Sequence, residues 1–130
     1  MKKLLLTLAA SCVVFVSAAL AESSKYADIS LPDLKAAIAS GKVAIIDVNG
    51  SDSYKDGHIP GAIDFDANSA KLASLLPADK SALVVAYCGN PQCNAYREGA
   101  EAAAKLGYTN VKHFALGIQG WKKSGEATAK

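Results

Sequence analysis

The sequence predicts an α/β fold, a small open parallel sheet of about five strands with helices on both faces. Val43-Ala44-Ile45-Ile46-Asp47-Val48 and Ala82-Leu83-Val84-Val85-Ala86-Tyr87 are short, nearly continuous apolar runs rich in β-branched residues. Runs of this kind mark strands buried on both faces, the situation of strands in a parallel sheet. Segments of helical spacing separate the strands, and that alternation implies parallel βαβ units with right-handed crossovers.

The elements follow in order. Residues 22–26 read as a frayed start, and Ala27-Asp28-Ile29 as a short edge strand. Ser30 before Leu31-Pro32-Asp33 gives a capping-box-like start with an acid in the first turn. Leu34, Ala37 and Ile38 keep helical spacing until Gly41 stops the helix. After the first core strand, residues 51–55 read as one helical turn, and Gly57-His58-Ile59-Pro60-Gly61 as a turn. Ala62-Ile63-Asp64-Phe65 is another short strand, and residues 70–76, with Leu72, Leu75 and Leu76, read as a helix ending before Pro77. The second core strand follows. Residues 94–106 are alanine-rich and form a strong helix closed by Gly107. Residues 111–114 are the last strand, and residues 117–123 are a loop or short helix carrying Trp121, followed by a polar tail.

A chain of 130 residues, 51% hydrophobic and 20% charged, suits one domain and excludes a disordered tail, collagen or a mucin-like stalk. There is no internal repeat or low-complexity block. A formal net charge of +2 is too small to make nucleic acid or an anionic membrane the main partner.

The first segment has a different character. Met1-Lys2-Lys3 is basic, residues 4–20 carry no charge, and Ala19-Leu20-Ala21 places small residues where a signal peptidase reads. This is the layout of a bacterial-type secretory signal, with the cut expected after Ala21. An uncleaved anchor is the competing reading, since the uncharged run is just long enough to cross a bilayer. A lipoprotein reading through Cys12 is weaker, because the apolar run continues past it to Leu20. The expected organisation is therefore a signal over residues 1–21 and one domain over residues 22–130, exported to the periplasm or secreted, with no stable membrane insertion after cleavage. Removal of residues 1–21 takes Lys2, Lys3 and Cys12 and leaves twelve basic and twelve acidic residues. Only Cys88 and Cys93 remain, in a compartment where thiols tend to be oxidised.

Cys88 stands directly after the second core strand, at the carboxyl end where open α/β sheets bind ligands. The loop Gly89-Asn90-Pro91-Gln92-Cys93 follows, and the next helix is expected from about Asn94. A helix start offers unpaired N–H groups and partial positive charge, and a tight loop above it aims further amides inward. A cysteine held there becomes a nucleophilic thiolate, and the same amides hold an anion carried on it. On position alone, a buried strand-end thiol without chemistry is an equal reading.

The surrounding sequence decides between them. Ile45-Ile46-Asp47-Val48, then Tyr54 with Gly57-His58-Ile59-Pro60-Gly61-Ala62, then Val85-Ala86-Tyr87-Cys88, then residues 102–108 with Gly117-Ile118-Gln119-Gly120-Trp121 occur in this order. Together they resemble the rhodanese family of single-domain sulfurtransferases, over roughly residues 28–125. The resemblance implies that Cys88 attacks the outer sulfur of a sulfane donor such as thiosulfate and becomes a persulfide. A thiophilic acceptor, cyanide, a small thiol or a protein sulfur acceptor, then takes that sulfur. Gly89, Asn90, Gln92, Cys93 and Asn94 would form the anion-binding loop. No metal, nucleotide or organic cofactor is implied.

The sequence departs from the family pattern at the loop. Cys93 stands where the family carries an arginine, the loop is longer than usual, and Asn49 also replaces a common arginine. Arg97, the only arginine of the chain, is a candidate for binding an anionic donor or a solvated helix charge. A longer loop is also found in the related Cdc25-type phosphatases and arsenate reductases. Their pattern resembles a loop closed by an arginine that clamps an oxyanion, and here that position is Asn94. Cys93 lies within loop reach of Cys88 and is either a resolving thiol or a plain loop residue. The alternative to an enzyme is a sulfur carrier or redox-sensing module built on Cys88 and Cys93. Two thiols and two distant histidines make no recognisable zinc set. His58 is read as an architectural hydrogen bonder, Asp47 as a residue that orients the loop or caps a turn, and Trp121 as core near the loop. His113 is read as an ordinary strand residue, and Lys122 and Lys123 as a solvated pair.

Overall fold

The computed structural model describes residues 25–130. The export signal expected at residues 1–21, its cut after Ala21, and Cys12 lie outside the described residues. Along the chain the elements are β1 (Ala27–Asp28), α1 (Leu31–Ser40), β2 (Val43–Asp47), α2 (Ser51–Asp56), β3 (Ile63–Asp64), α3 (Phe65–Asn68), a 3₁₀ turn (Ser69–Lys71), α4 (Leu72–Leu75), β4 (Leu83–Tyr87), α5 (Tyr96–Lys105), β5 (Asn110–His113) and α6 (Gly117–Lys123). The strands form one five-stranded parallel sheet in the order β1-β5-β4-β2-β3.

The two apolar runs are the central strands. β2 and β4 pair from Val43 against Leu83 to Asp47 against Tyr87. Side chains alternate across a strand, so each run feeds two cores. Ala44, Ile46, Val84, Ala86 and Cys88 pack on one face, beneath Leu72 of α4 and Tyr96, Ala100 and Ala103 of α5. Ile45, Val85 and Tyr87 pack on the other, beneath Leu34 of α1 and Trp121 of α6. Burial of each large apolar side chain stabilises the fold by about 1.5–3 kcal/mol, which is why these strands have no polar alternation. Gly99 lets α5 lie close on the sheet: a Cβ there would stand 2.9 Å from Ile46 Cγ2 and Val48 Cγ2.

The ends of α1 are those the sequence predicts. The Asp33 amide donates to Ser30 Oγ at 3.2 Å, and Gly41 leaves the helix in the left-handed region at φ 70°. Other boundaries differ. The helix expected at residues 70–76 begins at Phe65, because the Asp64 side chain accepts from the Ala67 amide and caps it there. It is then broken, with Asn68 and Lys71 at φ −125° and −118°. The expected strand at residues 62–65 shortens to Ile63–Asp64 for the same reason. The helix expected from Asn94 starts at Tyr96, after amides of Arg97 and Glu98 bond three residues back to Asn94 and Ala95. β5 runs one residue earlier than expected, and residues 117–123 are helical.

The tail is fastened rather than merely polar. His58 and Ala129 exchange amide–carbonyl bonds of 3.0 and 2.9 Å. The Trp121 indole Nε1–H donates to the Ala127 carbonyl at 2.9 Å, and Lys35 Nζ meets Glu126 Oε1 at 2.6 Å.

Candidate functional site

The site begins on the register of the two central strands. Asp47 and Tyr87 are paired at their carboxyl ends, both buried. The Tyr87 hydroxyl donates to Asp47 Oδ2 and accepts the Ile59 amide at 3.1 Å. Asp47 Oδ1 takes the Asn49 amide at 2.8 Å and its Nδ2 at 3.0 Å. A buried carboxylate is stable only with such donors. Burial first, then the charge and hydrogen bond of Asp47, pushes the Tyr87 phenol far above its ordinary pKa. Asp47 thus organises the strand ends, while Tyr87 connects them to the turn at Ile59.

Cys88 follows Tyr87 and is only 2% exposed. The start of α6 seizes the backbone there. The Ile118 amide donates to the Cys88 carbonyl at 2.9 Å and the Gln119 amide to the Gly89 carbonyl at 3.0 Å. Gly117, at φ 64°, makes this approach possible: a Cβ would stand 2.5 Å from the Cys88 oxygen.

Asn90, Pro91, Gln92 and Cys93 then make a turn. The Cys93 amide donates to the Asn90 carbonyl at 3.1 Å, and the Gln92 amide to Asn90 Oδ1 at 2.9 Å. Pro at the second position and Asn at the first suit this geometry. The turn returns the chain so that the Cys88 and Cys93 Cα atoms stand 6.2 Å apart, and the two sulfurs form a disulfide. Cys88, read from the sequence as the nucleophile, is therefore held as half of a disulfide with Cys93. Backbone amides of Gly89, Asn90, Asn94 and Ala95 donate to no acceptor among the described residues.

Arg97 is exposed on the first turn of α5, and its charge reaches His113. His113 is more than an ordinary strand residue. It is buried, its Nδ1 lies 3.2 Å from Asp28 Oδ1, and its ring stacks on Tyr96 with centroids 3.3 Å apart. Burial depresses its pKa, Asp28 opposes that shift, and Arg97 adds to it.

His58 is buried in the turn before β3. Its Nδ1–H donates to the Tyr54 carbonyl at 2.8 Å, and its ring stacks on Tyr54 at 3.6 Å. Trp121 is buried edge-on to Phe114, with centroids 6.4 Å apart. Lys122 lies against Gly57, with Nζ 3.5 Å from where its Cβ would stand.

A cavity of about 470 Å³ opens beside the loop at the carboxyl ends of β2 and β3. It is lined by Val48, Asn49, Gly50, Phe65, Asp66, Ser69, Ala95 and Glu98. Of these only Asn49 is marked by the sequence; the others meet through the sheet order, which local pattern does not encode. Among the described residues no group of three or more His, Cys, Asp or Glu could hold a metal, and no helix is long and apolar enough to cross a membrane.

The model of the rhodanese-like domain matches residues 30–124. Human thiosulfate:glutathione sulfurtransferase is 27% identical over 106 residues, 72% of this chain and 90% of that protein. An HTH-type transcriptional regulator of Mycobacterium tuberculosis is 32% identical over 87 residues, which span 66% of this chain and 37% of the regulator. Among solved structures, a Bacillus halodurans protein superposes with TM-score 0.62 at 26% identity, covering 80% of this chain and 77% of the other. A human single-domain sulfurtransferase does so with TM-score 0.60 at 22% identity, covering 74% of this chain and 95% of its own. A family-model match over residues 30–124, most of the chain, shows that it belongs to the family of rhodanese-like domains.

Proposed function

We propose that this protein is an exported sulfurtransferase whose reduced Cys88 carries sulfane sulfur as a persulfide. The observation that carries the reading is the place of Cys88 directly after the central strand β4, at the carboxyl end of the sheet and bonded to Cys93 across the loop that leads into α5. A thiolate at a strand end of this kind gains from the amides of the following loop and helix start, as does the anion of its persulfide. The Cys88 thiolate attacks the outer sulfur of thiosulfate, the sulfur–sulfur bond of the donor breaks, and sulfite leaves with the electron pair. Cyanide or a small thiolate then attacks the outer sulfur of the persulfide and returns Cys88 to its thiolate. The human relative, a thiosulfate:glutathione sulfurtransferase, supports both thiosulfate as donor and a thiol as acceptor. Export rests on the signal-like residues 1–21, and a disulfide within the site suits an oxidising compartment.

The test is intact mass of reduced, desalted protein after thiosulfate, then after cyanide. The expected result is gain of one sulfur atom in Cys93→Ser, which lacks the second thiol bonded to Cys88, followed by its loss with thiocyanate formed, and no gain in Cys88→Ser. Equal sulfur gain in Cys88→Ser, or none in any form of the protein, overturns the assignment.

A further inference from the structure

We infer that Cys93 is a resolving thiol that discharges the Cys88 persulfide as hydrosulfide, giving the domain a second activity: reduction of sulfane sulfur by a dithiol. The inference rests on the sulfur loading of Cys88 proposed above. Its own basis is the disulfide and the turn that builds it.

The two sulfurs are bonded, and the hydrogen bonds of the Asn90–Cys93 turn hold Cys93 in reach of Cys88 without any partner molecule. No other cysteine lies among the described residues. A sulfur added to Cys88 therefore meets a tethered nucleophile at high effective concentration, whereas an external acceptor has to diffuse in. The Cys93 thiolate attacks Sγ of Cys88. The bond from Sγ to the outer sulfur breaks, and the outer sulfur leaves with the electron pair, taking the proton given up by the Cys93 thiol, as hydrosulfide. The Cys88–Cys93 bond forms, so two thiol sulfurs are oxidised as the sulfane sulfur is reduced.

Burial sets how the cycle reopens. Cys88 is 2% exposed, while Cys93 is only half-buried. An incoming thiolate thus reaches Cys93 first and expels Cys88 as the thiolate. The second thiol of the reductant then attacks its own sulfur in the mixed disulfide and frees Cys93. The reductant leaves as a disulfide. The partner class is accordingly a dithiol, small or borne on a protein.

The experiment uses the reduced, desalted domain and its Cys93→Ser variant, each given thiosulfate with no acceptor, with sulfide and intact mass read together. Wild type is expected to release a single equivalent of hydrosulfide, stop with the mass of the internal disulfide, and resume turnover when dithiothreitol is added. Cys93→Ser is expected to keep one extra sulfur and release sulfide only at the protein-free level. Wild type that accumulates stable persulfide without sulfide overturns the inference and leaves the sulfurtransferase reading intact, as does Cys93→Ser releasing as much sulfide as wild type. A Cys93→Ser protein that gains no sulfur overturns both. Should Cys93→Ser fold poorly, the single-equivalent stop and its relief by dithiothreitol in wild type decide the matter alone.

Discussion

Gly117 sits so close to Cys88 that a Cβ on it would lie 2.5 Å from the Cys88 carbonyl oxygen. The contact couples the last helix to the candidate nucleophile through backbone alone. Gly117→Ala therefore has to push the Cys88–Gly89 peptide away and also strain a left-handed φ. We expect a loss of about 2–4 kcal/mol by urea unfolding, together with loss of sulfur loading on Cys88. Gly125 is the control, since it also has positive φ but nothing within 4 Å of its Cβ position. Gly125→Ala should cost only about 1–2 kcal/mol and leave loading unchanged.

Tyr87→Phe removes a donor from Asp47 and the acceptor of the Ile59 amide. Near neutral pH the variant should be about 1–3 kcal/mol less stable than wild type. The pH dependence has a definite sign. The folded phenol has its pKa raised, so its contribution is complete below the unfolded value of about 10 and is lost as pH rises above it. The stability gap between wild type and Tyr87→Phe should accordingly narrow in alkaline urea titrations. A gap that is constant from neutral to alkaline pH would remove the phenol proton from the account.

Deletion of residues 127–130 takes away the acceptor of the Trp121 indole and the Ala129 pairing with His58. Three polar groups of buried residues lose partners, the Trp121 indole N–H and the His58 amide and carbonyl, so the truncated protein should be about 2–4 kcal/mol less stable. Trp121 fluorescence should shift to the red as water reaches the ring. An unchanged emission maximum would show that the tail does not seal it.

Arg97→Ala tests the one guanidinium near the loop. The side chain is exposed on the first turn of α5, so a urea titration beside the kinetics separates any loss of stability from loss of donor binding. If it binds the donor anion, the KM for thiosulfate should rise about tenfold with kcat little changed, the size of a charge-assisted hydrogen bond. Equal KM values take Arg97 out of donor binding and leave its influence on His113.

What the sequence reveals here is what short range controls. The twin apolar runs of β2 and β4, the Ser30 cap and the Gly41 stop are written in neighbouring residues, and all of them are found in place. Cys88 is legible because a strand end is a local signal. The start of α5 is not, since the Asn90 turn and the disulfide hold residues 93–95 out of the helix. The cap from Asp64 likewise moves a helix start five residues ahead of Ala70, where the leucine pattern puts it. The His58–Ala129 pairing, the stacked His113–Tyr96 pair and the cavity walls join residues distant in sequence, and no periodicity announces them.

The β1–β5 pairing joins Ala27 to Lys112 and Asp28 to His113, so the first strand of the domain rests on the last. A chain emerging amino end first, from a ribosome or a translocation channel, holds β1 without its neighbour until almost the whole domain is out. Closing so long a loop is slow relative to local pairing. Completing the sheet thus waits on a strand that lies beyond Cys88 in the chain, so its last hydrogen bonds form only once the segment bearing Cys88 is available.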